Sequence, residues 1–325
     1  MENEVFNSRV DLSGLREAVG KIRQEVAKVI VGQDKMVDLL LTALLANGHV
    51  LIEGVPGVAK TLTSKVLARI INVDFSRIQF TPDLMPSDIL GTSVYNMKDG
   101  VFNYRKGPVF TNILLIDEIN RSPAKTQAAL FEVMEERQVT ADGETFSFQE
   151  PFIVVATQNP IEQEGTYRLP EAQLDRFIFK IEVDYPVLEE EVNILKKFHT
   201  ETTNVKLDSL TALLSAEDIV RFRQLSREIH VKDEVFKYIA SLVGETRNHP
   251  DLYLGGSPRA SLSILAGAKA YAAIQGRDFV TPEDVQFIAA PVLRHRLILT
   301  PEKEMEGDSV DKVIIRIIDK LEVPR

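Results

Sequence analysis

One short segment combines glycine, lysine and threonine at a spacing suited to binding a polyphosphate. It reads GVPGVAKT, covers residues 54–61, and lies between a strand-like run and a helix-like run. Successive backbone N–H groups at a helix N-terminus attract anions, because the helix dipole places partial positive charge there. Lys60 would reach the β and γ oxygens of a nucleotide, and the Thr61 hydroxyl would ligate Mg²⁺. The residues predicted to bind the nucleotide are Gly54, Val55, Pro56, Gly57, Val58, Ala59, Lys60, Thr61 and Leu62.

Ala59 departs from the common form of this pattern, in which glycine precedes the lysine. Alanine accepts helical backbone angles but fits left-handed ones poorly. For residues 54–61 taken alone, an ordinary Gly/Pro turn is therefore the alternative interpretation.

Two adjacent carboxylates end a second apolar run, ILLIDE at residues 113–118. The C-terminal ends of parallel strands meet at one edge of an α/β sheet, where such proteins bind ligands. Asp117 would hold the Mg²⁺ shell through water, and Glu118 would orient and deprotonate an attacking water. The alternative is that the two acids only cap a helix. Together with the 54–61 loop, they favour a hydrolase over a simple nucleotide binder.

A carboxamide follows a third apolar run, in TQNP at residues 157–160. Asn159 can hydrogen-bond both a γ-phosphate and the attacking water, and could thus report the nucleotide state. Taken alone, the same four residues indicate only a turn.

These groups need a sheet that brings strand ends together, and the chain has five short apolar runs that could build one. Segments with helical periodicity separate the runs, beginning with two helices near residues 11–30 and 35–46. The alternation predicts an α/β core, a mostly parallel five-stranded sheet covered on both faces. The predicted strands are residues 49–54, 77–80, 112–117, 152–157 and 177–183.

Two β-hairpins are predicted as insertions in this core. Residues 91–107 alternate apolar and polar around Asp99-Gly100, and residues 138–149 do so around Asp142-Gly143. Both dipeptides suit the positive φ angles of a tight hairpin turn. Between the hairpins, a helix is predicted over residues 122–136, with Ser122 as N-cap and Pro123 in the first turn.

The length of 325 residues, 44% of them apolar, indicates a folded chain of two domains. Strand-like runs stop near Pro186, and helix formers dominate beyond it. We expect an α/β core over residues 1–184 and an all-α domain over residues 185–325. Its predicted helices cover residues 187–199, 215–227, 232–247, 258–275, 282–290 and 308–320.

Composition narrows the function classes. The formal net charge of −10 opposes sequence-blind binding to nucleic acid. With no cysteine there is no disulfide, thiolate metal site or cysteine nucleophile, and the five histidines show no metal-ligand spacing. No apolar run approaches the ~18 residues of a membrane span, and the first residues do not resemble a signal peptide. We therefore expect a cytoplasmic protein.

With the loop, the acid pair and the asparagine in this order, the chain resembles the AAA+ ATPases, a class of P-loop NTPases. The two hairpins are similar to those of the clade that holds the MoxR family, the magnesium chelatase ATPase subunit and the MCM helicases. The strings GVPGVAKT, LLIDEINRSP, ATQNPIEQEGTYRLPEAQLDRF and GGSPRAS resemble MoxR most closely, and the similarity runs from about Leu12 to the end. Ala59 is what that family tends to carry. Arg168 departs from its usual small or proline residue, which could alter a subunit contact.

The resemblance implies further site residues. Arg176 matches the arginine finger, which acts in the active site of the neighbouring subunit, and Arg259 matches sensor 2, which could link γ-phosphate loss to rotation of the helical lid. For Arg176 the alternative interpretation is a surface ion pair with Asp175. For Arg259 it is an exposed residue at the start of a helix. The residues that could line the subunit interface are Arg121, Gln163 and Glu164. Those that match the adenine-contacting segment are Val31 and Gly32.

The resemblance implies an ATP-hydrolysing, chaperone-like remodeller that matures or activates protein complexes. It would work with Mg²⁺ as a homo-oligomeric ring of six subunits, and its partner could carry a von Willebrand A domain. The alternative is a nucleic-acid motor similar to the MCM helicases. The hairpin at residues 138–149 holds no lysine or arginine, which disfavours DNA, whereas Lys98, Arg105 and Lys106 in the other hairpin favour it. A nucleotide switch without hydrolysis is the third hypothesis.

Overall fold

The computed structural model describes residues 10–55, 57–160, 167, 169–200, 207 and 210–324. Its strands are β1 His49–Gly54, β2 Phe75–Gln79, β3 Gly91–Asn96, β4 Val101–Lys106, β5 Ile113–Asp117, β6 Gln138–Ala141, β7 Glu144–Ser147, β8 Ile153–Gln158, β9 Phe177–Val183, β10 Leu252–Leu254 and β11 Ile298–Leu299. Its α-helices are α1 Ser13–Ala27, α2 Asp34–Leu45, α3 Lys60–Ile71, α4 Pro86–Leu90, α5 Ala124–Glu136, α6 Glu171–Leu174, α7 Leu188–Thr200, α8 Ala216–Arg227, α9 Asp233–Asn248, α10 Pro258–Ile274, α11 Pro282–Leu293, α12 Pro301–Met305 and α13 Val310–Lys320.

Within the described residues, five strands form a parallel sheet in the order β2-β5-β8-β1-β9. Helices cover both faces, so each strand is an apolar run whose successive side chains enter opposite cores. In β5, Leu115 joins the core beneath α2 and α3, whereas Leu114 and Ile116 join the core beneath α5. The predicted five-stranded α/β core is confirmed.

Both predicted hairpins are present as antiparallel pairs, β3–β4 and β6–β7. The second turns as predicted, since Asp142 and Gly143 have φ angles of 52° and 83°. In the first, Asn96 pairs directly with Val101, so four residues form the loop, and of Asp99 and Gly100 only the glycine has a positive φ, 68°. The prediction that Asp99-Gly100 adopts the positive φ angles of a tight hairpin turn is therefore wrong for Asp99, because the loop is longer and begins at Met97.

The predicted start of the helix after β5 is wrong by one residue. A short 3₁₀ turn, Ile119–Arg121, comes first, and Ser122 ends that turn in an extended conformation. Pro123 is the N-cap of α5 and has no side-chain donor or acceptor to cap the helix. Ser122 therefore ends the 3₁₀ turn and does not cap α5 as predicted.

The lid helices lie where they were predicted, with β10, β11 and α12 as unpredicted small additions. α11 packs against β9, the edge strand of the sheet. Just after α11, the buried Arg296 donates to the Phe177 carbonyl at 2.8 Å and to Asp175 at 2.6 Å, and His295 bonds the same Phe177 carbonyl. Arg294 donates to the Lys180 carbonyl at 3.3 Å. Three consecutive lid residues therefore satisfy carbonyl groups of β9.

His49 is a buried neutral histidine at the start of β1. Its Nδ1 accepts from the Val154 N–H at 2.9 Å, so Nε2 carries the proton and donates to the Met134 carbonyl at 3.0 Å. Burial lowers the pKa of His49 to about 3, and the positive charge of Arg137 acts in the same direction. One imidazole thereby joins β1, β8 and α5.

His49 predicts a specific loss of stability in acid. An unfolded imidazole has a pKa of about 6.5, so below that pH the unfolded chain binds a proton that folded His49 excludes. The contribution is complete above pH ~6.5 and is lost as the pH falls towards 3. Between pH 7 and pH 5, the wild-type free energy of unfolding should fall by about 2 kcal/mol more than that of His49→Gln.

Urea unfolding followed by circular dichroism at both pH values measures this difference. The buried His295, whose pKa is also lowered by burial, contributes equally to both proteins. His230→Gln, at an exposed histidine, should behave as the wild type does. Equal pH dependence in the wild type and His49→Gln would contradict the prediction.

Candidate functional site

The predicted phosphate loop lies at the C-terminal edge of the sheet, between β1 and α3. Gly57 has φ +88°, and Ala59, the residue before the helix, has φ 60° and ψ 18°. The left-handed geometry that alanine fits poorly is thus present at Ala59, because the loop must reverse direction to enter α3 at Lys60. Pro56 lies outside the described residues.

The Lys60 side chain lies in the loop and faces the acid pair. Its ammonium donates to the carbonyl of Gly54, across the loop. Burial lowers the pKa of Lys60, and the negative charges of Asp117, Glu118 and Glu53 oppose that shift. The site therefore holds its lysine between the loop backbone and a group of carboxylates.

Asp117 and Thr61, the two residues predicted to bind Mg²⁺, lie close together. The Thr61 hydroxyl lies 3.4 Å and 3.5 Å from the two carboxylate oxygens of Asp117, whose side chain is only 10% exposed. The Thr157 hydroxyl, from β8, donates to Asp117 at 3.2 Å and accepts from the Glu118 N–H at 3.1 Å. Thr157 thus holds both acids of the pair.

Glu118 points differently from Asp117 because its backbone is left-handed, with φ 57°. Its carboxylate is one-third exposed and accepts from the Gln79 amide at 2.7 Å, and Arg121 Nε lies 3.1 Å from it. Arg77 Nε, also from β2, donates to Asp117 at 2.6 Å.

Three residues at this site were not among those predicted to act there: Arg77, Gln79 and Thr157. For Arg77 and Gln79 the sequence did contain a signal, because RIQ at residues 77–79 lies on a predicted strand and alternate residues of a strand share one face. What the sequence did not specify was that β2 is the neighbour of β5.

The oxygen donors at this edge fit Mg²⁺. Hard oxygen ligands suit that ion, which usually takes one or two carboxylates and completes its shell with water and substrate phosphates. Thr61 and Asp117 would hold it, and bound Mg²⁺ would neutralise charge on phosphate oxygens. Among the described residues, no group of three histidine or acidic side chains forms a metal site.

Asn159 lies at the same edge of the sheet, and the predicted adenine segment lies beside α7. Asn159 is buried one residue beyond β8, whose Gln158 is level with Glu53 of β1. Val31 and Gly32 lie in the loop between α1 and α2, and Gly32 has φ +69°. A Cβ on Gly32 would lie 2.6 Å from Glu190 Oε1, so the first turn of α7 also adjoins this segment.

Arg176 and Arg259 lie at the end of the strands opposite the phosphate loop, near the first residue of β9. Arg176 immediately precedes β9, whose first residue is level with His49 at the start of β1. Five residues of strand, at about 3.3 Å each, separate that level from Gly54, or roughly 17 Å. Arg259 lies on the same side, with Nη1 3.4 Å from Asp175. Neither arginine is at the phosphate loop of its own chain.

The arginines share their acids in a way that the sequence analysis did not predict. Arg176 pairs with Glu135 at 2.8 Å rather than with Asp175, and Arg259 lies 3.8 Å from Glu135. Asp175 accepts from the buried Arg296. Arg121, considered as an interface group, contacts Glu118 of its own chain. Gln163, Glu164 and Arg168 lie outside the described residues.

Two family profiles match the chain. That of the ATPase family associated with various cellular activities, AAA, matches residues 49–179, and that of the AAA lid domain matches residues 244–317. Fold and site therefore define a P-loop protein of the AAA+ class. Within the described ranges, no helix is long and apolar enough to cross a membrane.

Individual relatives narrow the class. The chaperone MoxR1 of Mycobacterium tuberculosis is 46% identical over 310 residues, which are 93% of this chain and 81% of that protein. The uncharacterized protein YeaC of Bacillus subtilis is 45% identical over 95% of this chain and 96% of its own. A crystal structure of a Cytophaga hutchinsonii protein, provisionally described as an ATPase, matches with TM-score 0.89 and 42% identity over 97% of each chain. The chain belongs to the MoxR family of AAA+ ATPases, which confirms the resemblance.

Close packing at Gly54 predicts that adding even one methyl group there lowers the stability of the fold. A Cβ on Gly54 would lie 2.6 Å from the Val183 carbonyl oxygen of β9, and backbone cannot move aside cheaply. Gly54→Ala should lower the free energy of unfolding by about 2 kcal/mol. Gly20→Ala, in α1, is the control: its Cβ would meet no described atom within 4 Å, and it should stabilise by about 0.5–1 kcal/mol. Urea unfolding measures both, and equal stability of the two variants would refute the argument.

Proposed function

We propose that this protein hydrolyses ATP with Mg²⁺ and uses the cycle to remodel other protein complexes. The observation that supports this best is the arrangement at one sheet edge of Lys60, Thr61, Asp117 and Glu118, with Thr61 and Asp117 oxygens 3.4 Å apart. A magnesium-bound polyphosphate would suit the Lys60 ammonium, the Thr61 hydroxyl and the Asp117 carboxylate. The second carboxylate adds a base, which binding alone does not require.

In the proposed reaction, Glu118 takes a proton from water as the water oxygen attacks the γ-phosphorus. The bond from that phosphorus to the β–γ bridging oxygen breaks, which leaves ADP and inorganic phosphate. Asn159 would hydrogen-bond the γ-phosphate or the attacking water. Gln79, bonded to Glu118 at 2.7 Å, holds the base in position from β2.

The opposite edge of the sheet supports a ring. Arg176 and Arg259 lie at the end of the strands opposite the phosphate loop, and strand residues spanning roughly 17 Å separate the two ends. A second copy packed head to tail would bring them to a γ-phosphate. A head-to-tail contact closes into a ring when its rotation permits. We propose that both arginines act on the neighbour's nucleotide, in a ring of six subunits.

A client complex and a cytoplasmic location complete the proposal. The relative MoxR1 is named a chaperone, which supports a protein substrate. A partner with a von Willebrand A domain is the candidate that the family resemblance suggests. The hairpin contacts also favour protein over DNA: Lys106 lies 5.0 Å from the Phe110 ring centre and 5.5 Å from that of Phe146, so one of three hairpin cations already has internal partners.

The assignment of the base is tested by Glu118→Gln. Glutamine keeps the shape and one acceptor oxygen but cannot take the proton, so turnover should fall at least about 100-fold while ATP binding is retained. Phosphate release and fluorescent-nucleotide binding measure the two effects. Glu234→Gln, at an exposed acid of α9, is the control and should keep wild-type turnover. Undiminished phosphate release from Glu118→Gln would remove Glu118 from the mechanism.

Action of Arg176 on the neighbour is tested by mixing two inactive proteins. Arg176→Ala keeps an intact base, and Glu118→Gln keeps an intact arginine. If subunits exchange randomly at equal amounts, about a quarter of the interfaces combine both intact groups, and activity should return to that order. Titrating one variant into the other and measuring phosphate release follows the recovery. A mixture as inactive as its components, in rings shown by light scattering to exchange subunits, would show that Arg176 acts elsewhere.

A further inference from the structure

Arg77 makes a direct contact with the proposed magnesium ligand. It lies on β2, level with Leu115 of β5, and its side chain extends forward to Asp117. Arg77 Nε lies 2.6 Å from Asp117 Oδ2, within the range of a charge-assisted hydrogen bond. The ion pair therefore places a full positive charge on the carboxylate that Mg²⁺ would use.

The other oxygen of Asp117 faces different partners. Oδ1 accepts from Thr157 at 3.2 Å and lies 3.4 Å from the Thr61 hydroxyl. The Thr61 hydroxyl also lies 3.5 Å from Oδ2, so neutral hydroxyl groups approach both oxygens of Asp117, and the guanidinium contacts Oδ2. The hydroxyl groups are compatible with a nearby metal ion, whereas the guanidinium carries the same sign of charge as the ion.

The burial of the two partners shows which of them can move. The Asp117 side chain is 10% exposed, whereas that of Arg77 is 53% exposed. Leaving the ion pair costs the half-exposed arginine little, because water solvates the guanidinium, whereas the buried carboxylate then needs another cation as its partner. The carboxylate is fixed, and the arginine is the partner that can withdraw.

We propose that Arg77 is an internal counter-ion that competes with Mg²⁺ for Asp117. This inference rests on the proposed function, since it takes Asp117 as part of the metal site. With Arg77 in place, the carboxylate is neutralised by the chain itself. Metal binding then requires that the Arg77 side chain move away from Asp117, so Arg77 weakens the metal affinity of the nucleotide-bound protein.

Arg77→Gln tests this inference by removing the charge and keeping most of the side-chain length. ADP-loaded protein is titrated with Mn²⁺ as a stand-in for Mg²⁺, and free Mn²⁺ is measured by its electron paramagnetic resonance signal. Loss of one positive charge a few ångströms from a divalent ion should lower the half-saturating Mn²⁺ concentration on the order of tenfold. Arg77→Lys keeps the charge and should remain near the wild type.

Arg69→Gln is the matched control. Arg69 is an exposed arginine in the last turn of α3, so this variant changes the net charge by the same amount away from Asp117. Its Mn²⁺ affinity should equal that of the wild type. Arg77→Met provides a second neutral side chain if the glutamine variant does not fold.

The outcomes separate the inference from the proposed function. Tighter Mn²⁺ binding by the neutral Arg77 variants alone supports the competition. Unchanged or weaker binding in those variants, or equal tightening in Arg69→Gln or Arg77→Lys, overturns it while leaving nucleotide binding intact. A wild-type protein that binds no ADP with Mn²⁺ overturns the proposed function and the inference together.

Discussion

Parallel pairing of β5, β8 and β1 is the constraint on which the rest of the site depends. Its register sets Glu53 level with Gln158, and Leu115 level with Val155, so the three strands end at one edge. Each strand alternates its side chains between two buried cores, and a slip of one residue would exchange the two sets. Hydrophobic packing thereby brings the loop, the acid pair and Asn159 to the same edge of the sheet.

The chemistry at that edge is a balance of internal charges. Lys60 lies among three carboxylates, and Asp117 and Glu118 are in turn contacted from β2 by Arg77 and Gln79. In a partly buried site, charged groups need partners, because an unpaired charge away from water is costly. A bound nucleotide would therefore replace existing ion pairs rather than enter an unpaired site.

The opposite edge shows how the lid is joined to the sheet. Arg296 and His295 bond carbonyls of β9, and α10 packs on α2 within one continuous apolar core. Arg259, at the start of α10, is thereby held beside Asp175, next to Arg176. The lid presents its arginine at the same edge as the sheet does, so two elements far apart in sequence place Arg176 and Arg259 beside one shared acid, Glu135.

By itself the sequence determined the local elements and the chemistry of the phosphate edge. Strand runs, helix periodicity and hairpin turns depend on residues near one another in the chain, and for that reason the strands and the hairpins could be predicted. Only the tertiary structure decided which side chains distant in the sequence contact one another. Arg77 lies 40 residues from Asp117, and Arg296 lies 121 residues from Asp175. Such contacts depend on strand order and lid docking, which follow from burial of apolar surface across the whole chain, and burial is non-directional and names no particular pair.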